Sequence, residues 1–282
     1  MMKILCVVSC MVVFSALSWG QTDGATDTDA DGFHVHRLRS PHQGGDTTLR
    51  VLLPDDVEPG RRYRVLYVLP VIEHGKRRYG DGLLEMKKYG YHNSHNLICV
   101  APEFTTKPWF ADHDLNPQKQ DESHLIRTVV PFVEKHYPAT RAAEGRLLIG
   151  FSKSGWGALS LLLRNPDLFH KAAGWDIGIR VDTGPITEAD RAERIAREWG
   201  TAENFEAYRI STLVKTKGRE LGDKARLFYF STEGIRAQGG VEIHRLLVEH
   251  QIPHRYVFEP QRTHRWDSGW IPEAFEFLVD QD

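Results

Sequence analysis

From Phe33 onward, short apolar runs alternate with amphipathic stretches. Two runs, residues 63–71 (YRVLYVLPV) and 97–104 (LICVAPEF), are apolar on successive positions, the pattern of parallel strands covered by helices from both sides. Residues 147–151, 227–230 and 255–258 read the same way. Ahead of them, Phe33, Val35 and Leu38 open a strand and residues 47–53 form another, with Gly44, Gly45 and Asp46 as the turn between them. Helical stretches lie at about 122–137, 154–164, 241–250 and 272–279. The alternation predicts an α/β fold with a mostly parallel central sheet, helices on both faces and right-handed crossovers. No internal repeat or linker interrupts it, so residues 33–282 are expected to form one domain. Polar helices at about 182–223 break the rhythm and are read as an excursion over the sheet edge.

The first twenty residues do not fit this pattern. Lys3 gives a positive start, residues 4–17 are almost wholly apolar, and Ser18 and Gly20 are small residues placed for cleavage before Gln21. This is the pattern of a secretory signal peptide, which predicts a secreted or periplasmic protein. Cys6 and Cys10 would leave with it, so the mature chain would keep Cys99 alone and form no internal disulfide. Residues 21–32 carry four aspartates and no large apolar side chain, and are expected to be a flexible acidic leader.

Over all 282 residues the composition is 41% apolar and 26% charged, with a formal charge of -2, which excludes collagen, coiled coil and long disorder. So small a charge supplies no field to attract nucleic acid, or a membrane surface once the signal is cleaved. Expected partners are therefore small-molecule or carbohydrate-linked substrates, with the oligomeric state left open.

Candidate chemistry concentrates at residues 146–164, RLLIGFSKSGWGALSLLLR. A buried strand runs straight into Gly150-Phe151-Ser152-Lys153-Ser154-Gly155, and an apolar helix follows at once. A nucleophile on such a turn needs tiny neighbours two positions before and after it. Gly150 meets that requirement, and Ser154 stands where Gly is usual. Ser152 is the expected nucleophile, with the Lys153 backbone N–H as one oxyanion donor. In a Ser, acid, His chain order the base is His264, in the turn-rich loop after the last strand, rather than His254 or His250. Two acids are open: Glu233, after the strand 227–230, and Asp176, after Ala173-Gly174-Trp175. Glu233 is preferred and Asp176 is the alternative. Trp109 and Phe110 follow a strand's carboxyl end and could stack on a substrate ring. Asp112, His113 and Asp114 lack a second cluster at metal-ligand spacing, so no metal is expected. Lys76, Arg77, Arg78, Lys87 and Lys88 are read as a solvated basic face.

The elbow residues 150–155, the helix after them, the Glu233 region and His264-Arg265-Trp266 followed by Trp270 resemble the putative esterase family of α/β-hydrolases, which includes esterase D-like and feruloyl esterases. The likeness extends over about residues 61–278. It implies a carboxylic ester hydrolase with a Ser-acid-His triad, acyl-enzyme chemistry and no cofactor. The family spacing of acid to histidine is what favours Glu233. Where the family usually reads His-Gly after the oxyanion strand, this chain has Pro70-Val71-Ile72-Glu73-His74-Gly75, so the second oxyanion donor is assigned to the Val71 or Ile72 N–H. The alternatives are an acyltransferase on the same triad and a non-catalytic binding protein on the hydrolase fold.

Overall fold

The computed structural model describes residues 27–280 apart from 73, 75, 178 and 179. The signal-peptide assignment and residues 21–26 of the expected leader lie outside the described residues. Nine strands form one sheet: β1 (Asp27–Thr28), β2 (His34–Leu38), β3 (Thr47–Leu52), β4 (Arg64–Val68), β5 (Leu97–Pro102), β6 (Arg146–Phe151), β7 (Lys171–Trp175), β8 (Leu227–Ser231) and β9 (His254–Phe258). Their spatial order is β1-β2-β3-β5-β4-β6-β7-β8-β9. The pairs from β1 to β5 by way of β2 and β3 are antiparallel, and those from β5 through β4 to β9 are parallel.

The apolar runs read from the sequence are β4, β5, β6, β8 and β9, of which β9, at the sheet edge, is only half-buried. All residues of β5, β6, β7 and β8 are buried, because helices cover both faces of the sheet. On one face lie α1 (Gly82–Lys88), the short α2 (Tyr91–Ser94) and, at the end of the chain, α10 (Ile271–Val279), whose Ile271, Phe275 and Leu278 pack with Leu83, Met86, Phe151 and Trp175. On the other lie α3 (Asp121–His124), continued through a π-helical turn into α4 (Val130–His136), then α5 (Lys153–Arg164), α8 (Ile210–Lys217) and α9 (Ile235–Glu249).

Between β7 and β8 the chain makes the expected excursion, α6 (Glu188–Glu198), α7 (Ala202–Tyr208) and α8, which packs on α5. Its anchor is Asp182, whose side chain is fully buried. That carboxylate accepts hydrogen bonds from Trp156 Nε1 (2.9 Å), Arg209 Nε (3.0 Å), the Ile210 N–H (3.1 Å) and Ser211 Oγ (2.7 Å). An acceptor with so many buried donors cannot be removed without leaving several unsatisfied. Asp182→Ala is expected to cost about 3 kcal/mol of stability, read by urea denaturation; a cost within about 0.5 kcal/mol of wild type would contradict it.

One boundary differs from expectation. Residues 27–32 are not a free leader: β1 pairs with β2, and the Asp29 carboxylate accepts the N–H groups of Asp31 and Phe33, both at 3.0 Å. Asp31 also pairs with Arg77 at 2.6 Å. The aspartates that gave this segment its disordered composition are its turn cap and its tether. Arg77 and Lys88 of the basic face are likewise paired, Lys88 with Glu85 at 3.3 Å.

Candidate active site

β6 and β7 are neighbours in register, Gly150 beside Gly174 and Phe151 beside Trp175, so their carboxyl ends emerge side by side. Ser152 is the first residue past β6, and its N–H donates to the Trp175 carbonyl at 2.7 Å. Its backbone has φ 55° and ψ -122°, a left-handed region that a non-glycine residue enters only under constraint. The constraint is close packing of strand and helix. A Cβ at Gly150 would stand 2.1 Å from the Ser154 carbonyl oxygen, so no side chain fits there. At Gly157, one turn into α5, a Cβ would meet the Phe110 ring at 2.2 Å.

Ser154, which departs from the usual glycine, is fully buried and folds its hydroxyl back into the turn. Its Oγ accepts the Phe151 N–H and donates to the Phe151 carbonyl, both at 2.9 Å. The substitution thus adds a brace across the elbow and directs Ser154 away from the site.

His264 lies 3.1 Å from Ser152 Oγ through Nε2, and its Nδ1 is hydrogen-bonded to Asp176 Oδ2. Asp176 directly follows β7 and is also turned by a positive φ of 53°; its N–H donates to the Phe230 carbonyl at 2.8 Å. The Asp176 side chain is fully buried, while His264 keeps 19% exposure, so a carboxylate from the interior holds a ring that reaches solvent. With Nδ1–H donating to the carboxylate, Nε2 is free to accept from the serine hydroxyl. The ring is further fixed by Phe151, at 4.4 Å between centroids, and by the edge of Tyr79, at 5.9 Å. The loop carrying His264 is tied down two residues later, where the Trp266 N–H donates to the Tyr79 carbonyl at 2.9 Å. Trp266 itself is buried against Trp270, packing that holds this loop.

The preference for Glu233 is corrected. Glu233 is exposed and sits at the turn into α9, where Gly234 has φ 82°. The end of β8 does reach the site, but one residue earlier: Thr232 Oγ1 donates to Asp176 Oδ1 at 2.9 Å. Thr232 therefore orients the Asp176 carboxylate, leaving its other oxygen for His264. The sequence signal for it was its place directly after a buried strand, a place that had been read for the next residue.

Trp109 and Phe110, read as ring-stacking candidates, are both buried. Phe110 is fully buried against Phe104 and α5, and Trp109 packs among Trp156 and Trp199 with centroids 6.1 and 4.9 Å away. The buried Asp121, whose carboxyl is pushed up to about 6 by desolvation, accepts the Trp109 N–H at 2.8 Å and fixes this loop inward. The Lys153 ammonium lies over the Trp109 ring, 5.2 Å from its centroid. Asp112, His113 and Asp114 each serve separate partners, Ser123, the Leu115 N–H and Thr201. Val71 and Ile72 follow β4, the strand beside β6, and so reach the same sheet edge as the elbow; Leu69 N–H still donates to the Ile149 carbonyl at 2.9 Å.

The fold is shared with known proteins. The chain superposes on an S-formylglutathione hydrolase from Agrobacterium tumefaciens with a TM-score of 0.69 at 13% identity, over 90% of this chain and 97% of the other. This is the α/β-hydrolase fold. A fluorophosphonate-binding serine hydrolase of Staphylococcus aureus gives a TM-score of 0.70 at 16% identity, covering 88% and 98% of the two chains. A ferulic acid esterase of the anaerobic fungus Anaeromyces mucronatus gives 0.59 at 19% identity, covering 92% of each. Residues 103–175 match the family model described as Putative esterase, a segment that runs from the end of β5 through the elbow to the end of β7. An esterase of Mycobacterium tuberculosis is 26% identical over 134 residues, 44% of this chain and 27% of its own length, so the chain spans about a quarter of the curated relative that it matches.

Proposed function

We propose that the protein is a serine carboxylic ester hydrolase in which Ser152 is the nucleophile, His264 the general base and Asp176 the acid. The observation that carries this reading is the His264 ring bonded at one nitrogen to buried Asp176 and at the other to Ser152, on a strained strand-to-helix turn. The match of residues 103–175 to the putative esterases supports ester cleavage as the chemistry.

In the first half-reaction His264 Nε2 accepts the Ser152 proton as Oγ attacks the ester carbonyl. The resulting imidazolium faces a buried carboxylate, an arrangement that stabilises charge where it develops. The Lys153 N–H, at the first position of α5, is the first oxyanion donor in this reading, together with the helix dipole. The Val71 or Ile72 N–H is the second donor in this reading. Collapse of the tetrahedral intermediate returns the proton from His264 to the leaving alcohol, and water deacylates Ser152 by the reverse sequence. The apolar run at residues 4–17 supports export of this activity to a periplasmic or extracellular setting, on small-molecule or carbohydrate-linked esters.

The direct test is labelling with a fluorophosphonate followed by peptide mass mapping. A single adduct on Ser152 is expected, removed by Ser152→Ala. An adduct on Ser154, or no adduct on folded protein, would reject the assignment.

A further inference from the structure

The two edges of the sheet are built differently. One edge is β1, two exposed residues long and acidic, a form that gives another chain little to pair with. The other is β9, His254-Arg255-Tyr256-Val257-Phe258, a five-residue strand with Tyr256, Val257 and Phe258 in succession and none of its residues fully buried. Among the described residues, β8 is the only strand that pairs with it.

The hydrogen-bonding direction of β9 follows from one bond. Glu259 N–H donates to the Ser231 carbonyl of β8 at 2.8 Å, so Arg255, Val257 and Glu259 turn their backbone groups inward. His254, Tyr256 and Phe258 turn theirs outward. The side chains of these same three residues share one face of the strand. There His244 of α9 stacks on Tyr256 at 4.5 Å and is bonded to His254 at 2.8 Å. Val241 and Val248 flank His244 at helical spacing and are 48% and 57% exposed; Phe258 is 49% exposed. Among the described residues, backbone groups without a strand partner and an uncovered apolar stripe thus run along the same edge.

We propose that β9 is a self-association edge at which two copies of the chain pair antiparallel about Tyr256. The outward groups are symmetric about that residue, so a two-fold axis there sets His254 opposite the partner's Phe258 and Tyr256 opposite its own copy. Every outward N–H and C=O then meets a partner in the widely and closely spaced pattern of an antiparallel ladder. On the opposite face of the strand, Arg255 stands across from Val257 of the second copy, with that copy's Glu259 on one diagonal, of opposite charge, and its Arg255 on the other. Within one chain these two charges are not committed to each other: Arg255 lies over the Phe228 ring, and Glu259 faces Arg262 at 3.7 Å. Because the axis runs perpendicular to the sheet, α9 of each copy stays on the same face, and Val241 and Val248 meet Val248 and Val241 of the other. Such an interface is isologous and closes at two.

Sedimentation velocity on the full chain at micromolar concentration tests this. The expected mass is twice that of one chain. Arg255→Glu, which sets like charges across the axis, is expected to weaken the dimer by about tenfold or more, and Arg255→Glu/Glu259→Arg to restore it. Phe258→Lys, at a half-exposed edge position, should give a folded monomer. A monomeric wild type, or a dimer that neither Arg255→Glu nor Phe258→Lys weakens, overturns the proposal. So does a folded double variant no tighter than Arg255→Glu alone.

Discussion

Asp176→Asn is expected to lower kcat for a short-chain aryl ester by about 10⁴-fold, with KM little changed, while Glu233→Gln leaves kcat within about twofold of wild type. The amide keeps the shape of the carboxylate but presents either an NH₂ donor or a carbonyl to His264 Nδ1. Thr232 Oγ1, which donates to Asp176 Oδ1 at 2.9 Å, favours an oxygen at that position. The amide nitrogen then faces His264, which must turn its Nδ1 into an acceptor, and Nε2 can no longer take the serine proton. Glu233 is exposed at the mouth of α9 and touches neither ring nitrogen, so its amide changes only a solvated charge. Steady-state kinetics on both folded variants decides the matter, and a dead Glu233→Gln with an active Asp176→Asn would restore the acid to β8.

The second large effect is non-additivity at the serine and histidine. Ser152→Ala and His264→Ala are each expected to remove about 10⁶-fold in kcat, and the double variant no more than about threefold beyond either. The two side chains, 3.1 Å apart, act on one proton, and once either is gone the other has nothing to exchange it with. Losses that multiply in the double variant would mean that the residues work independently and would dismantle the proposed mechanism.

Much of this arrangement could be read before any coordinates, because it rests on local pattern. The doubly apolar runs became β4, β5, β6 and β8, the run at 255–258 became the half-buried edge strand β9, and the small residues around Ser152 were those that a close strand-helix turn demands. His264 followed from chain order. The acid did not, since chain order allows any strand end after the nucleophile, and the choice depends on which strand lies beside β6. That strand is β7, a non-local fact carried by the pairing of Gly150 with Gly174. The burial of Trp109 and Phe110 was hidden for a related reason. A loop at a strand's carboxyl end usually faces solvent, but here Asp121 pulls its backbone inward and Gly157 leaves room for the Phe110 ring. Asp27, Asp29 and Asp31 have a composition that suits a loose tail, yet a carboxylate that caps a turn and pairs with arginine serves order equally well.

The backbone of Ser152 carries a further consequence. At φ 55° and ψ -122° a side chain costs about 1 to 3 kcal/mol, which glycine in the same place would not. The working chain is therefore not its own most heat-resistant version. A laboratory selection that rewarded only thermal survival or soluble yield would favour loss of the hydroxyl, so any such campaign on this scaffold has to score turnover alongside endurance.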